Sequence, residues 1–147
     1  MAVKNQLKMI FDSLSENVGI ARVSAAAFAA QIDLTLNDVD EIKVAVSEAV
    51  SNSVIHGYRE HKGTIELIMT LYENEDVNKL EYIITDYGQG IADIELARQP
   101  SYSSDPERMG LGFVFMESFM DELNVQSEPG KGTTVKMSKK IEATIAH

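Results

Sequence analysis

The 147-residue sequence contains no cysteine. A disulfide framework, a thiolate metal site and a cysteine nucleophile are all excluded. No apolar run approaches the roughly 18 residues that a membrane helix needs, and the amino terminus lacks the apolar segment of a secretory signal. A cytoplasmic protein without a membrane partner is expected. Basic residues are scarce: 13 Lys and Arg stand against 23 Asp and Glu, giving a formal charge of −10. That balance argues against direct nucleic-acid binding, which rests on cations neutralising phosphates, and favours basic protein partners. Two phosphate-binding signatures are missing as well. There is no GxxxxGK[ST] loop, and Gly88-Gln89-Gly90 lacks the third glycine of the dinucleotide fingerprint. A nucleotide would need another scheme, with positive potential from magnesium, an arginine or a helix amino terminus to offset the protein's own field. Repeats, low-complexity tracts and composition breaks are absent too, so residues 1–147 read as a single domain.

What is present is ordinary globular composition, 44% hydrophobic and 24% charged. A chain of this size buries roughly 68–70% of its unfolded surface, enough for a real core. Its organising stretch is Glu41 to Gly57. Ile42, Val46, Ala49, Val50 and Ser53 recur at helical spacing, while Glu48, Asn52 and His56 fall four residues apart and share another face. A polar stripe beside a core face calls for water, a ligand or a metal, because an unpaired buried polar group costs about 1–3 kcal/mol.

Around this helix the pattern is legible in order. Residues 4–12 alternate, with Leu7, Met9 and Phe11 on one side, and predict a strand. Ser13 or Ser15 then caps a helix to about Gln31, whose inward stripe is read as Ile20, Val23, Ala27 and Ala30. Arg22, Ala25, Ala26 and Ala29 form a second, low face able to approach another surface closely. Asn37 or Asp38 caps the central helix, which ends near Gly57. Residues 64–73 and 79–85 alternate as strands joined by a hairpin over Asn74 to Asn78. A short helical piece around Asp93 to Arg98 leads into an unperiodic segment, Gln99 to Arg108, with the character of a lid. A helix from Gly110 to about Leu123 carries Phe113, Met116, Phe119 and Met120 inward. Strands at 124–127 and 133–137 follow, and the tail from Ile141 is expected to fray. The fold class is α/β: a two-layer sandwich with helices on one face of a mixed, mostly antiparallel sheet.

Four motifs occur in one order: Glu48-x-x-x-Asn52 on a helix, Asp86-x-Gly88-x-Gly90 after a strand, Gly110-Leu111-Gly112 at a helix start, and Gly130-x-Gly132-Thr133-Thr134 before a strand. Each alone is weak. Together they resemble the GHKL superfamily of gyrase-type ATPases, heat-shock chaperones, histidine kinases and mismatch-repair ATPases. The strings Ser47-Glu48-Ala49-Val50-Ser51-Asn52, Ile55-His56-Gly57-Tyr58, Ala97-Arg98-Gln99-Pro100 and Phe119-Met120-Asp121-Glu122 more specifically resemble the anti-sigma F factors of sporulating bacteria. The segment Ser101 to Met109 departs from that pattern in length and in its Ser103-Ser104.

The resemblance implies a protein-serine kinase that uses ATP and Mg²⁺, with sigma F and an anti-anti-sigma factor as partners and a homodimer as the assembly. In chemical terms Asp86 would accept a hydrogen bond from the exocyclic amine of adenine. Gly88 and Gly90 would let backbone come flush with the base. Thr134 would complete the adenine pocket, or is an ordinary strand threonine. Asn52 offers an oxygen for Mg²⁺. Gly110, Leu111 and Gly112 present N–H groups to phosphates, and Arg108 swings onto the γ-phosphate. Glu48 is the general base for an incoming hydroxyl. If that hydroxyl belongs to water the chain is an ATPase; if to serine, a kinase. Arg22 is expected to contact a protein partner. A gyrase-like ATPase, a histidine-kinase catalytic domain and an ATP-gated module without catalysis remain as competing assignments.

Overall fold

The computed structural model describes residues 1–58, 62–91, 93–94, 98 and 109–143. Five strands form one sheet in the order β1-β2-β3-β5-β4. They are β1 (Ala2–Asp12), β2 (Thr64–Glu73), β3 (Val77–Asp86), β4 (Glu122–Glu128) and β5 (Gly132–Glu142). Every pairing is antiparallel, so the sheet expected as mixed and mostly antiparallel is antiparallel throughout. Its cause is alternation: Ile65, Leu67, Met69 and Leu71 on β2, Leu80, Tyr82 and Ile84 on β3, and Val135 and Met137 on β5 are all buried on one face. Register aligns them in rows, Met69 opposite Tyr82 and Tyr82 opposite Met137, with Leu67, Ile84 and Val135 in the next. The β2–β3 turn is short because the Asn74 side chain accepts the Asp76 and Val77 N–H groups at 2.9 and 2.8 Å.

Helices α1 (Glu16–Ala29), α2 (Leu36–Asn52) and α3 (Met109–Phe119) cover that apolar face, α2 lying between the other two. The cap of α2 is Thr35, rather than Asn37 or Asp38. Its hydroxyl accepts the Asp38 N–H at 3.0 Å while the Asp38 carboxylate accepts the Thr35 N–H at 3.3 Å, so the expected aspartate serves as the far half of a capping box. Of the expected stripe on α2, Ile42, Val46, Ala49, Val50 and Ser53 are all buried, joined by Ala45.

For α1 the expected orientation is inverted. Ala21, Ala25, Phe28 and Ala29 are buried, whereas Ile20 and Val23 are 57% and 63% exposed and Ala27 and Ala30 also face outward. The low alanine face approaches closely, as its shape suggests, and the surface that it approaches is α2. Helix α3 also stops earlier than its hydrophobic pattern suggests, at Phe119 rather than Leu123. The Lys139 ammonium caps its last carbonyl at 2.8 Å while pairing with Glu41 of α2 at 3.3 Å, and β4 begins at Glu122. At the other end of the sheet, Ile141 and Glu142 belong to β5 instead of a frayed tail. Of the short helical piece at 93–98, the Arg98 N–H donates to the Ile94 carbonyl at 3.0 Å, the spacing of one helical turn.

Tyr82 pins α1 to the sheet, its fully buried phenol donating to the Ala25 carbonyl at 2.9 Å. Tyr82→Phe is expected to lower folding stability by about 1 kcal/mol. Urea denaturation with an unchanged midpoint would contradict this tie.

Candidate functional site

The predicted polar residues gather along the seam where α2 passes the end of β3. Asp86 closes β3 on the core face and is 4% exposed. Burial raises its carboxyl pKa above the usual aspartate value. The Gly88 N–H at 3.0 Å, the Ser53 hydroxyl and the Thr133 N–H hydrogen-bond the carboxylate and pull in the opposite direction. Ser53 reaches it from the inward stripe of α2, at the start of a five-residue π-helical turn, Ser53–Gly57. Such widened turns occur mostly as single insertions in α-helices, frequently at functional sites. Gly57 also faces the carboxylate, near enough that a Cβ there would sit 3.0 Å from Asp86 Cγ.

The loop after Asp86 is clamped on both sides. Gly88 lies against the Gly57 carbonyl, where any Cβ would collide, and the Gln89 N–H donates to that same carbonyl at 2.9 Å. The Gln89 side chain donates to the His56 carbonyl at 2.6 Å. From the β4–β5 hairpin, the Gly130 N–H donates to the Gln89 carbonyl at 2.7 Å. Gly90, at φ 76°, packs on the Glu128 carbonyl. Asn52, His56, Asp86, Ile91, Phe113 and Thr133 line a cleft of about 20 Å³. That volume is about the size of one water molecule.

Two helical turns back along α2 lies the other end of the site. Gly112, in the first turn of α3, faces Glu48 and Asn52; a Cβ on it would stand 2.9 Å from Glu48 Oε2 and 3.5 Å from the Asn52 amide. Gly110, Leu111 and Gly112 thus lie in the first turn of an 11-residue helix, where backbone N–H groups have no acceptor within the helix. Asn52 Nδ2 is buried without a hydrogen-bond partner among the described residues. Turned end for end, that amide offers its oxygen to the same space, which fits a hard cation. No three His, Asp or Glu side chains cluster as a metal cage among the described residues. A cation there would rest on Asn52, water and ligand oxygens, the usual arrangement for magnesium.

Glu48, Asn52, Asp86, Gly88, Gly90, Gly110, Leu111 and Gly112 are therefore drawn onto one seam. Thr134 is not: its side chain lies on the opposite face of the sheet, with its Oγ1 3.3 Å from that of Thr85. Thr133 lines the cleft instead, and its hydroxyl sits 2.8 Å from Ser127 Oγ. The signal was available, since Val135 and Met137 point inward and a period of two puts Thr133 with them. Ser53 was placed on the inward stripe by its spacing, but its bond to Asp86 and the π-helical turn had no comparable signal. Arg108 lies outside the described residues, as does the whole Gln99 to Arg108 segment. Arg22 is exposed beside α2, its Nη1 3.5 Å from Ser47 Oγ, and neighbours the exposed Val23.

A helix-borne carboxylate and amide facing a helix start, with a buried aspartate at the far end of an antiparallel sheet, define the nucleotide-binding domain of the GHKL class. The histidine kinase-like ATPase domain family accordingly matches residues 11–139. Within that class, the chain belongs to the anti-sigma F factor family. It is 48% identical over 143 residues to the anti-sigma F factor of Pasteuria penetrans, covering 96% of this chain and 94% of that one. It is 46% identical to the anti-sigma F factor of Clostridium acetobutylicum, covering 95% of this chain and 96% of that one. Among solved structures, the histidine kinase domain of the Erythrobacter litoralis EL346 blue-light activated kinase superimposes with a TM-score of 0.58 at 19% identity, covering 85% of this chain and 59% of that one. A mycobacterial sensor histidine kinase, MprB, gives 0.55 at 17% identity, covering 95% and 100%. These two likenesses concern the fold alone.

Asp86→Asn is expected to weaken adenine-nucleotide binding at least tenfold, as hydrogen bonds to charged groups are worth about 1.5–3 kcal/mol. The stability of the nucleotide-free variant should lose a pH dependence that the parent has. A carboxyl whose folded pKa is raised contributes stability at low pH that is lost as pH rises through that pKa, and the amide removes the term. For the parent, nucleotide affinity should fall on acidification through the raised Asp86 pKa, an effect absent from the variant. Calorimetric titration across pH checks both; equal affinities of parent and variant would remove Asp86 from the site.

Proposed function

We propose that this chain is an anti-sigma factor that holds sigma F away from RNA polymerase, and a serine kinase that phosphorylates an anti-anti-sigma factor from ATP. One observation carries the chemistry: Glu48 and Asn52, one turn apart on α2, both face Gly112 at the start of α3, while Asp86 closes the same seam. Asp86 accepts the adenine amino group, which guanine replaces with a carbonyl. Gly88 and Gly90 keep the backbone low beneath the base, and Thr133 takes the place first given to Thr134. The N–H groups of Gly110, Leu111 and Gly112 receive the phosphates, with Arg108 as the cation for the γ-phosphate. Magnesium on the Asn52 oxygen supplies positive charge that a protein of net charge −10 otherwise withholds.

Glu48 is the general base. As the serine oxygen attacks the γ-phosphorus and ADP departs, the hydroxyl proton passes to the Glu48 carboxylate, a contribution of roughly 10²–10⁴-fold. All 147 residues work as one domain. Arg22 meets a partner carboxylate from a face where Ile20 and Val23 are exposed. A homodimer fits the outer edge of β1, which pairs only with β2 and exposes Val3, Leu7 and Ile10. No described helix is long and apolar enough to cross a membrane, and the acidic surface disfavours nucleic acid, in keeping with a cytoplasmic regulator.

Glu48→Gln should retain MgATP binding while phosphotransfer falls roughly 10²-fold or more. Single-turnover transfer of labelled γ-phosphate to the serine of the anti-anti-sigma factor measures it, and a near-parental rate would exclude Glu48 as the base. Arg22→Glu is expected to weaken binding to sigma F, the anti-anti-sigma factor, or both, by about 2 kcal/mol or more, the size of a hot-spot loss. Its ATP affinity and thermal stability should stay near parental. Unfolding of the variant, or undiminished binding of both partners, would place the interface elsewhere.

A further inference from the structure

The string Ile55-His56-Gly57-Tyr58 has no role yet beyond the contacts of Gly57 and the His56 carbonyl. Tyr58 directly follows the π-helical turn, and its side chain is buried. Its phenol oxygen accepts the Tyr87 N–H at 2.6 Å and donates to the Thr64 carbonyl at 2.7 Å. One oxygen thus joins the first residue of β2 to the residue immediately after Asp86. The ring is held in turn. Gly63 lies flat against it, leaving no room for a Cβ, and is itself fixed to Ser13: the Ser13 N–H donates to the Gly63 carbonyl at 2.9 Å and the Gly63 N–H to the Ser13 hydroxyl at 2.8 Å. Tyr87 has a second anchor, its hydroxyl donating to Glu66 at 2.7 Å, but this one is exposed and tethers the side chain rather than the backbone.

We propose that Tyr58 is a positioning residue for nucleobase recognition. Its phenol fixes the Asp86–Tyr87 peptide, and through it the direction of the Asp86 carboxylate and the adjoining Gly88 N–H. Asp86 ends β3, where it pairs with Ile65 of β2 and Thr133 of β5; the next N–H, that of Tyr87, is held by the Tyr58 phenol. Without the phenol oxygen that N–H must turn to water, and the peptide that carries the aspartate shifts with it. The role rests on Asp86 as the adenine acceptor. It makes Tyr58 a determinant of affinity and of the preference for adenine over guanine, without contact to either.

The test uses Tyr58→Phe, with Tyr82→Phe as the matched control. Both delete one buried phenol oxygen that bonds a backbone group, but Tyr82 bonds Ala25 on α1, away from the seam. MgADP and MgGDP are titrated calorimetrically into the parent, both variants and Asp86→Asn, at a temperature where each retains the parent's circular dichroism. Tyr58→Phe should weaken MgADP binding by roughly three- to tenfold and narrow the ADP-to-GDP ratio, with turnover at saturating ATP unchanged. Tyr82→Phe should leave affinity and ratio at parental values. Gly63→Ala, which retains the phenol but displaces its ring, should reproduce the Tyr58→Phe pattern. Parental affinity and ratio in Tyr58→Phe, or an equal loss in Tyr82→Phe, would overturn the positioning role while leaving Asp86 in place. Undiminished MgADP binding by Asp86→Asn would overturn both.

Discussion

The structure depends on one buried carboxylate and the donors that converge on it. Asp86 sits where desolvation opposes ionisation, and three donors from three segments counter it: Gly88 from its own loop, Ser53 from the π-helical turn, and Thr133 from β5. Each constrains a different part of the chain. Helix α2 must carry Ser53 on its inward face, the loop must turn at once for the Gly88 N–H to fold back, and β5 must register with Thr133 opposite Asp86. Glycine makes the convergence possible, because Gly57, Gly88 and Gly132 let backbone lie where a methyl group would collide or crowd.

From that fixed end the rest of the site is a matter of helix geometry. Glu48 and Asn52 share the face of α2 that looks toward α3, one turn apart. Helix α3 is set against them at its start by Gly112 and at its end by Lys139, whose ammonium joins the Phe119 carbonyl to Glu41. Phosphates and base would therefore be addressed by successive turns at the C-terminal end of one helix, first the carboxylate and amide, then the π-helical turn. The outer face of α1 and the edge of β1, proposed above for partner contacts, lie apart from this seam, so catalysis and protein recognition would draw on different surfaces of the same small sandwich.

Much of this was legible in the sequence because the signals were periodic. Strict alternation placed β2 and β3, the i, i+4 stripe placed Glu48 and Asn52 on one face, and the glycine pairs marked where backbone packs on backbone. What stayed hidden has physical reasons. On α1 the larger residues Ile20 and Val23 outweighed alanine in any hydrophobic count, but the helix buries what lets it come close to α2 and leaves the larger groups outside. Helix α3 ends where a lysine twenty residues away supplies the cap, which no local pattern reveals. The π-helical turn answers to the tertiary position of Asp86 rather than to the residues within it. Thr133 and Thr134 are equivalent as residue types, and only strand phase separates them.

The most direct measurement is a crystal structure of the protein with magnesium and a non-hydrolysable ATP analogue. The adenine amino group should lie within hydrogen-bond distance of Asp86 with Thr133 beside it. The metal should rest on Asn52, and the phosphates should lie at Gly110 to Gly112 within reach of Glu48. A nucleotide bound elsewhere, or one in this seam whose base leaves Asp86 uncontacted, would contradict the account.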